Sequence, residues 1–305
     1  MAKNVKVNAD RILYLKIEEI NSLKVIIETL TKIVSETVWT IHNPKDKQNK
    51  FCGVEIATAD PSRSVFVKIR IDVDKFVEFN CKYEVHEIGI NLEKLNKIIK
   101  FVEKDDILNM YLTEKDLQCL MIDIERATTK GKKILKFPLI DLEQDNKPTK
   151  KEEYEKIVST TPNIYKKIFK EYDDFENVKI KCTKKNILFT YKDDTGTEIN
   201  DEYILDEDGI NIENFSKDDD FVGVYPINNL ILFGKCANLC QELQIYMKNK
   251  DRLVVKLLTL SFGTITISLP PVNEDCIKNI DYDYSDDEED VNVIDNYQNK
   301  LIPEK

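Results

Sequence analysis

Apolar and polar side chains alternate through Ile12-Leu-Tyr-Leu-Lys-Ile17, which predicts a strand with one buried face. The period then lengthens. Leu23, Ile26, Ile27, Leu30 and Ile33 or Val34 recur at helical spacing with Lys24, Glu28 and Lys32 between them, predicting an amphipathic helix over 23–34 with Asn21 as N-cap. Strands are expected at 37–43, 51–58, 64–72 and 77–83. A second helix should start after Asn91, burying Leu92, Leu95, Ile98 and Ile99 and exposing Lys94, Lys97 and Lys100. A hairpin of 107–113 and 118–125 follows, and basic 128–136 completes the unit.

The chain then repeats this order. Beyond a polar stretch, 141–153, which contains Pro148, come a strand near 154–160, a helix from Thr161-Pro-Asn163 to about 173, and strands at 178–182, 186–191 and onward to 224. A helix over 226–236, a hairpin of 243–247 and 253–260, and a strand at 264–269 end the pattern. At one constant offset and without a gap, Leu95 falls on Leu230, Lys100 on Lys235, Leu108 on Leu243, Tyr111 on Tyr246 and Asp116 on Asp251. A period that long suits a whole globular domain. The expectation is an α+β protein of two tandem similar domains, each of β-sheets with two helices: residues 1–137, a connecting loop 138–153, residues 154–272, and an acidic tail 273–305.

With 305 residues and 42% hydrophobic content, both units can hold a core. No apolar run approaches a membrane span, and Met-Ala-Lys-Asn-Val-Lys at the start lacks the apolar stretch of a secretory signal, so a soluble, intracellular protein is expected. Seven cysteines, with no CxxC pair, read as buried thiols in a reducing compartment; Cys236 and Cys240 lack nearby partners for a metal. Of the net charge of −11, most is local: residues 274–295 carry ten acids against one lysine. That tail is too charged to join a core, and Ser285 before Asp286-Asp-Glu-Glu289 has the form of an acidic-directed phosphorylation site or of a plain solvated tail.

Phosphate-binding glycine loops, HExxH and GxSxG are missing from the sequence, and two histidines form no acid–base constellation. Asp72 with Asp74, and Asp218-Asp-Asp220, read as solvated turns before metal sites. No cofactor is expected, and binding outranks catalysis. The helices agree with each other: Lys24 and Lys32, then Lys94, Lys97 and Lys100, then Lys166, Lys167 and Lys170, then Lys235 all lie opposite apolar faces. If the helices share one side of the sheets, they form a cationic strip. Lysine without arginine suits phosphate contact independent of base sequence.

Three segments carry a resemblance: Leu23-Lys-Val-Ile-Ile-Glu-Thr-Leu-Thr-Lys-Ile-Val-Ser-Glu-Thr-Val-Trp-Thr-Ile41, Cys52-Gly-Val-Glu-Ile-Ala-Thr-Ala-Asp60 and Gly89-Ile-Asn-Leu-Glu-Lys-Leu-Asn-Lys-Ile-Ile-Lys100. They resemble the first domain of the proliferating cell nuclear antigen family, the eukaryotic and viral DNA sliding clamps, and Leu139-Ile-Asp-Leu-Glu143 resembles the opening of its interdomain connecting loop. The resemblance covers about residues 10–272, more strongly in the first half. It implies a ring of three two-domain subunits whose helices surround double-stranded DNA, opened and closed by a clamp loader and tethering DNA polymerase and other replication and repair proteins. By motif position the family's channel lysines fall on Lys24, Lys97, Lys100 and Lys235, and approximately on Lys167 and Lys170; Lys32, Lys94 and Lys166 come from helix geometry.

The family's partner pocket corresponds to Ala59, Asp60 and Arg63, to Ile140 and Leu142, and to Leu269, Pro270 and Pro271. Glu143-Gln-Asp-Asn-Lys147 replaces the apolar continuation of the family's loop, which leaves a shallower pocket or other anchors open. Subunit joining is expected between a basic edge, Lys130, Lys132, Lys133 and Lys136, and an acidic one, Glu198, Asp201, Glu202 and Asp206, giving a homotrimer with a salt-sensitive interface. The resemblance places the protein in a nucleus or a cytoplasmic viral replication factory. A subunit of a heterotrimeric damage-checkpoint clamp is the alternative, and a metal-dependent enzyme using Asp72 and Asp74 the more distant one.

Overall fold

Asn91 caps the helix that follows it, its side-chain oxygen accepting from the Lys94 amide at 3.0 Å. Thr161 accepts from the Ile164 amide at 3.4 Å, and Pro162, which has no amide hydrogen to waste, opens the helix behind it. The computed structural model describes residues 10–43, 51–129, 131–142, 153–193, 195–216, 219–259 and 261–272. Its first half runs β1 (Arg11–Ile17), α1 (Ile20–Leu30), β2 (Glu36–His42), β3 (Gly53–Ala59), β4 (Phe66–Asp72), β5 (Glu78–Cys81), β6 (Val85–Asn91), α2 (Leu92–Ile99), β7 (Ile107–Thr113), β8 (Asp116–Glu125) and β9 (Lys132–Pro138). The second runs β10 (Lys156–Thr160), α3 (Pro162–Lys170), β11 (Asn177–Cys182), β12 (Asn186–Lys192), β13 (Glu198–Ile204), β14 (Ile210–Phe215), β15 (Phe221–Pro226), α4 (Ile227–Leu232), a 3₁₀ turn (Cys236–Leu239), β16 (Cys240–Met247), β17 (Leu253–Thr259) and β18 (Gly263–Leu269).

Three sheets result, ordered β5-β1-β7-β8-β9, β14-β10-β16-β17-β18-β4-β3-β2-β6 and β13-β12-β11-β15. The halves have the same wiring. The orders β5-β1-β7-β8-β9 and β4-β3-β2-β6 reappear as β14-β10-β16-β17-β18 and β13-β12-β11-β15. One connection breaks this equivalence: β18 bonds antiparallel to β4 and fuses two of the four blocks into nine strands, whereas their counterparts β9 and β13 are sheet edges. The chain is therefore α+β, two similar β-rich halves with two α-helices each.

Packing explains the elements. In β1 the buried Leu13, Leu15 and Ile17 alternate with partly exposed Tyr14 and Lys16. Trp39, 1% exposed, stands opposite Ile56 on one side and Ile88 on the other, and α1 buries Ile20, Leu23, Ile26, Ile27 and Leu30. Asp106 is buried in the turn before β7, where it accepts from the amides of Glu103 (2.8 Å) and Ala127 (3.0 Å) and from Arg126 (2.8 Å). Burial opposes its ionisation, but the two amides and the guanidinium prevail and hold its carboxyl below the usual range.

Three local expectations change. α1 starts at Ile20, ends at Leu30 and has Glu19, not Asn21, at its N-cap, because Ile20 belongs to the buried stripe and extends the helix backward. The expected helix over 226–236 stops at Leu232, and the chain passes Gly234 into the 3₁₀ turn. β6 replaces a stretch for which no element was expected. The acidic tail with Ser285, Lys130, Asp218 and Glu143 to Lys147 lie outside the described residues.

Candidate nucleic-acid interface

α1 packs against α2 and against the 3₁₀ turn, and α3 packs against α4 and the same turn, so all four helices belong to one connected layer. The turn is the bridge. Its Cys236 Sγ lies 3.4 Å from Thr29 Oγ1 on α1, and Ser22 Oγ on α1 is 3.2 Å from Ser261 Oγ. Lys32, Lys94, Lys97, Lys100, Lys167, Lys170 and Lys235 are exposed, while Lys24 and Lys166 are half-buried. Burial of Leu92, Leu95 and Ile99, and of Tyr165, Ile168 and Phe169, turns the lysines of α2 and α3 away from the core.

Two lysines already have partners. Lys166 donates to Asn238, and Lys235 Nζ lies 2.7 Å from Glu28 Oε1, across the two halves. The hydrogen bond from Lys235, helped by the charges of Lys235, Lys32 and Lys100, holds the Glu28 carboxyl below the usual range. Glu28 thus marks where lysines from just beyond the ends of α1 (Lys32) and α2 (Lys100) and from just before the 3₁₀ turn (Lys235) converge. Lys24-x-x-x-Glu28-x-x-x-Lys32 is legible as a helix-face spacing, but the partner of Glu28 is not.

The candidate partner residues gather at one end of the nine-stranded sheet. Ala59 is opposite Phe66, which is opposite Ser268, so Ala59 and Leu269 lie near the same row. Asp60 braces the β3–β4 turn, accepting from Val65 N (2.6 Å), Ser64 Oγ (2.9 Å) and Ser62 Oγ, while Arg63 is exposed at a positive φ of 56°. Ile140 bonds to Gly89 O at 3.1 Å and extends the β6 edge; a Cβ on Gly89 would come within 2.0 Å of Ile140 O, so the approach needs glycine. Ile140, Leu142 and Pro270 are half-buried, Leu269 and Pro271 buried. Ile140 joins the far side of β6, several strands from Ala59, so the three groups share a rim without one row containing them all.

The charged edges are placed on strands that terminate sheets. Lys132, Lys133 and Lys136 lie on β9, and Glu198, Asp201 and Glu202 on β13. Much of that charge is answered at home: Lys132 meets Asp123 (3.3 Å) and Glu125 (3.4 Å), and Lys136 meets Asp116 (2.6 Å). Asp206 faces inward to its turn and accepts from Ile212 N at 2.8 Å.

The model of the proliferating cell nuclear antigen N-terminal domain matches residues 12–147. That match takes in just under half of the chain. The chain as a whole is 22% identical to a probable DNA polymerase sliding clamp of Acanthamoeba polyphaga mimivirus, over 89% of this chain and 64% of that protein. To DNA polymerase sliding clamp 2 of Sulfolobus acidocaldarius it is 26% identical over 57% of this chain and 66% of the relative. Each match thus spans just under two thirds of the relative's length. The crystal structure of proliferating cellular nuclear antigen from Entamoeba histolytica shares the fold, with a TM-score of 0.73 and 20% identity over 86% of this chain and 100% of that one. Of the helical elements, α1 and α2 lie within the residues that the family model matches, and α3 and the 3₁₀ turn lie beyond them.

Proposed function

We propose that this chain is a DNA sliding clamp, a non-catalytic tether that encircles duplex DNA and holds DNA polymerase and other replication and repair proteins to it. The observation that carries the reading is the connected layer of four helices with lysines on its outer face. Mobile ammonium groups on such a layer neutralise phosphates without reading bases, as a protein that must slide requires. The names of the relatives support the same reading.

In this reading the division is 1–137, 138–153, 154–272 and the tail 273–305, with Lys24, Lys32, Lys94, Lys97, Lys100, Lys166, Lys167, Lys170 and Lys235 facing DNA. Ala59, Asp60, Arg63, Ile140, Leu142, Leu269, Pro270 and Pro271 receive partner peptides, and a clamp loader places the ring at replicating DNA. Three copies close by joining β9 of one chain to β13 of the next. The internal β18–β4 pairing supports this, because a head-to-tail contact repeated at the counterpart strands generates a ring.

Loading onto circular and linear duplexes with a clamp loader tests the proposal. Retention on closed circles with loss from free ends is expected; equal loss from both would overturn it.

A further inference from the structure

The duplicated wiring allows the β18–β4 register to be carried over to the open ends, strand by strand. Trp39 faces Ile56 and Ile88 as Ile180 faces Phe189 and Gly223, which makes Ile56 the counterpart of Phe189. Ile56 pairs with Ile69 and Phe189 with Asp201, so Asp201 holds the place of Ile69. On the other side, Leu108 and Leu243 match in the sequence repeat and pair with Ile124 and Leu257, which pair in turn with Lys133 and Ile265. Lys133 therefore holds the place of Ile265. Within the chain Ile265 stands directly opposite Ile69, and both are buried.

Resting on the ring reading, we infer that β9 of one copy pairs with β13 of the next with Lys133 opposite Asp201, and that this pair is the key that sets the register and the choice of partner. The same register places Leu135 opposite Ile199, Lys132 opposite Glu202 and Lys136 opposite Glu198.

Three features support it independently. Gly131 falls at the place of Gly263, where a Cβ would come within 2.2 Å of Arg70 O on the paired strand; the open end keeps the glycine that close pairing demands. Lys133 and Asp201 are also uncommitted in the way a key must be. Among the described residues neither Lys133 nor Asp201 is in an ion pair, and Lys133 Nζ lies 5.4 Å from the Phe101 ring centre. Phe101 itself is 64% exposed, an apolar surface beside the edge that a second copy would cover.

The charges also explain why the two kinds of junction do not mix. β9 on β4 would bury Lys133 against Ile69, and β18 on β13 would bury Asp201 against Ile265; each leaves a charge unanswered. A pair of this type is best suited to fixing register and partner, not to adding raw stability.

The test is a charge exchange read by sedimentation and light scattering on the full chain. Lys133→Asp and Asp201→Lys, each folded by circular dichroism, should self-associate about a hundredfold more weakly, and the double exchange should regain assembly. A second measurement uses Ile134→Cys with Asn200→Cys, which this register sets face to face; oxidation should link copies, whereas Ile134→Cys with Glu198→Cys should not. If the wild type assembles but cross-links in the shifted pair, or if single exchanges assemble normally, the key is wrong while the ring stands. A monomeric wild type would overturn both.

Discussion

Lys235 reaches across the molecule to Glu28, a contact of 2.7 Å between residues on opposite halves. The carboxylate sits within the cationic layer, where under the proposed function it would compete with phosphate for the lysine it holds. Glu28→Gln should tighten retention on DNA circles and steepen the logarithmic salt slope by about 0.9, the value of one added phosphate contact. Salt titration of retention checks this. An unchanged slope with a lowered melting temperature would assign the pair to fastening the two halves alone.

Lys97, Lys100, Lys167 and Lys170 are exposed on α2, its C-terminal end and α3. Replacing all four with alanine should weaken retention equally on every base sequence and flatten the salt slope by about 0.9 for each phosphate that is no longer neutralised. The measurement is retention on two circles of different base composition.

Asp106 supports the turn between α2 and β7 from a buried position. Asp106→Asn should cost about 2 kcal/mol at neutral pH, because a buried donor loses its charged acceptor. The wild-type carboxyl has a lowered folded pKa, so its contribution is complete above the unfolded value of about 3.9 and fades as pH falls through the folded value. Urea denaturation should show the two proteins converging only in acid.

Gly263 and Gly131 separate folding from assembly. Gly263 has φ of 123° and lies against β4, so Gly263→Ala should destabilise the single chain by about 2 kcal/mol. Gly131→Ala meets only the Thr129 hydroxyl at 3.1 Å within the chain and should leave the melting temperature nearly unchanged while weakening self-association. Calorimetry and sedimentation on both variants check the contrast.

What could be read from the sequence was what neighbours decide. Asn91 capping α2 and Thr161-Pro162 opening α3 are one-turn events, and the stripe of Leu23, Ile26, Ile27 and Leu30 needs only the helical period. β6 escaped because Gly89 interrupts its apolar pattern; that glycine makes room for Ile140, whose approach cannot be seen along the chain. Likewise the sequence marks Lys235 and Glu28 as charged helix-face residues, yet 207 positions separate them. The lysines of β9 and the acids of β13 were visible as opposite charges, but only the β18–β4 register, carried over to the proposed junction, assigns which would face which. Within the chain Lys132 and Lys136 already pair with Asp123, Glu125 and Asp116, so in the proposed ring that contact would depend less on salt than bare charge suggests.

Since β18 and β4 are consecutive strands of one continuous sheet, half the seams of a six-part annulus would be sewn shut by the polypeptide itself. Any machine that unlatches such an annulus has only the remaining seams to work on, and those are the ones whose lips carry charge. In the proposed ring, the gate for entering DNA would thereby be written into which strands were left bare.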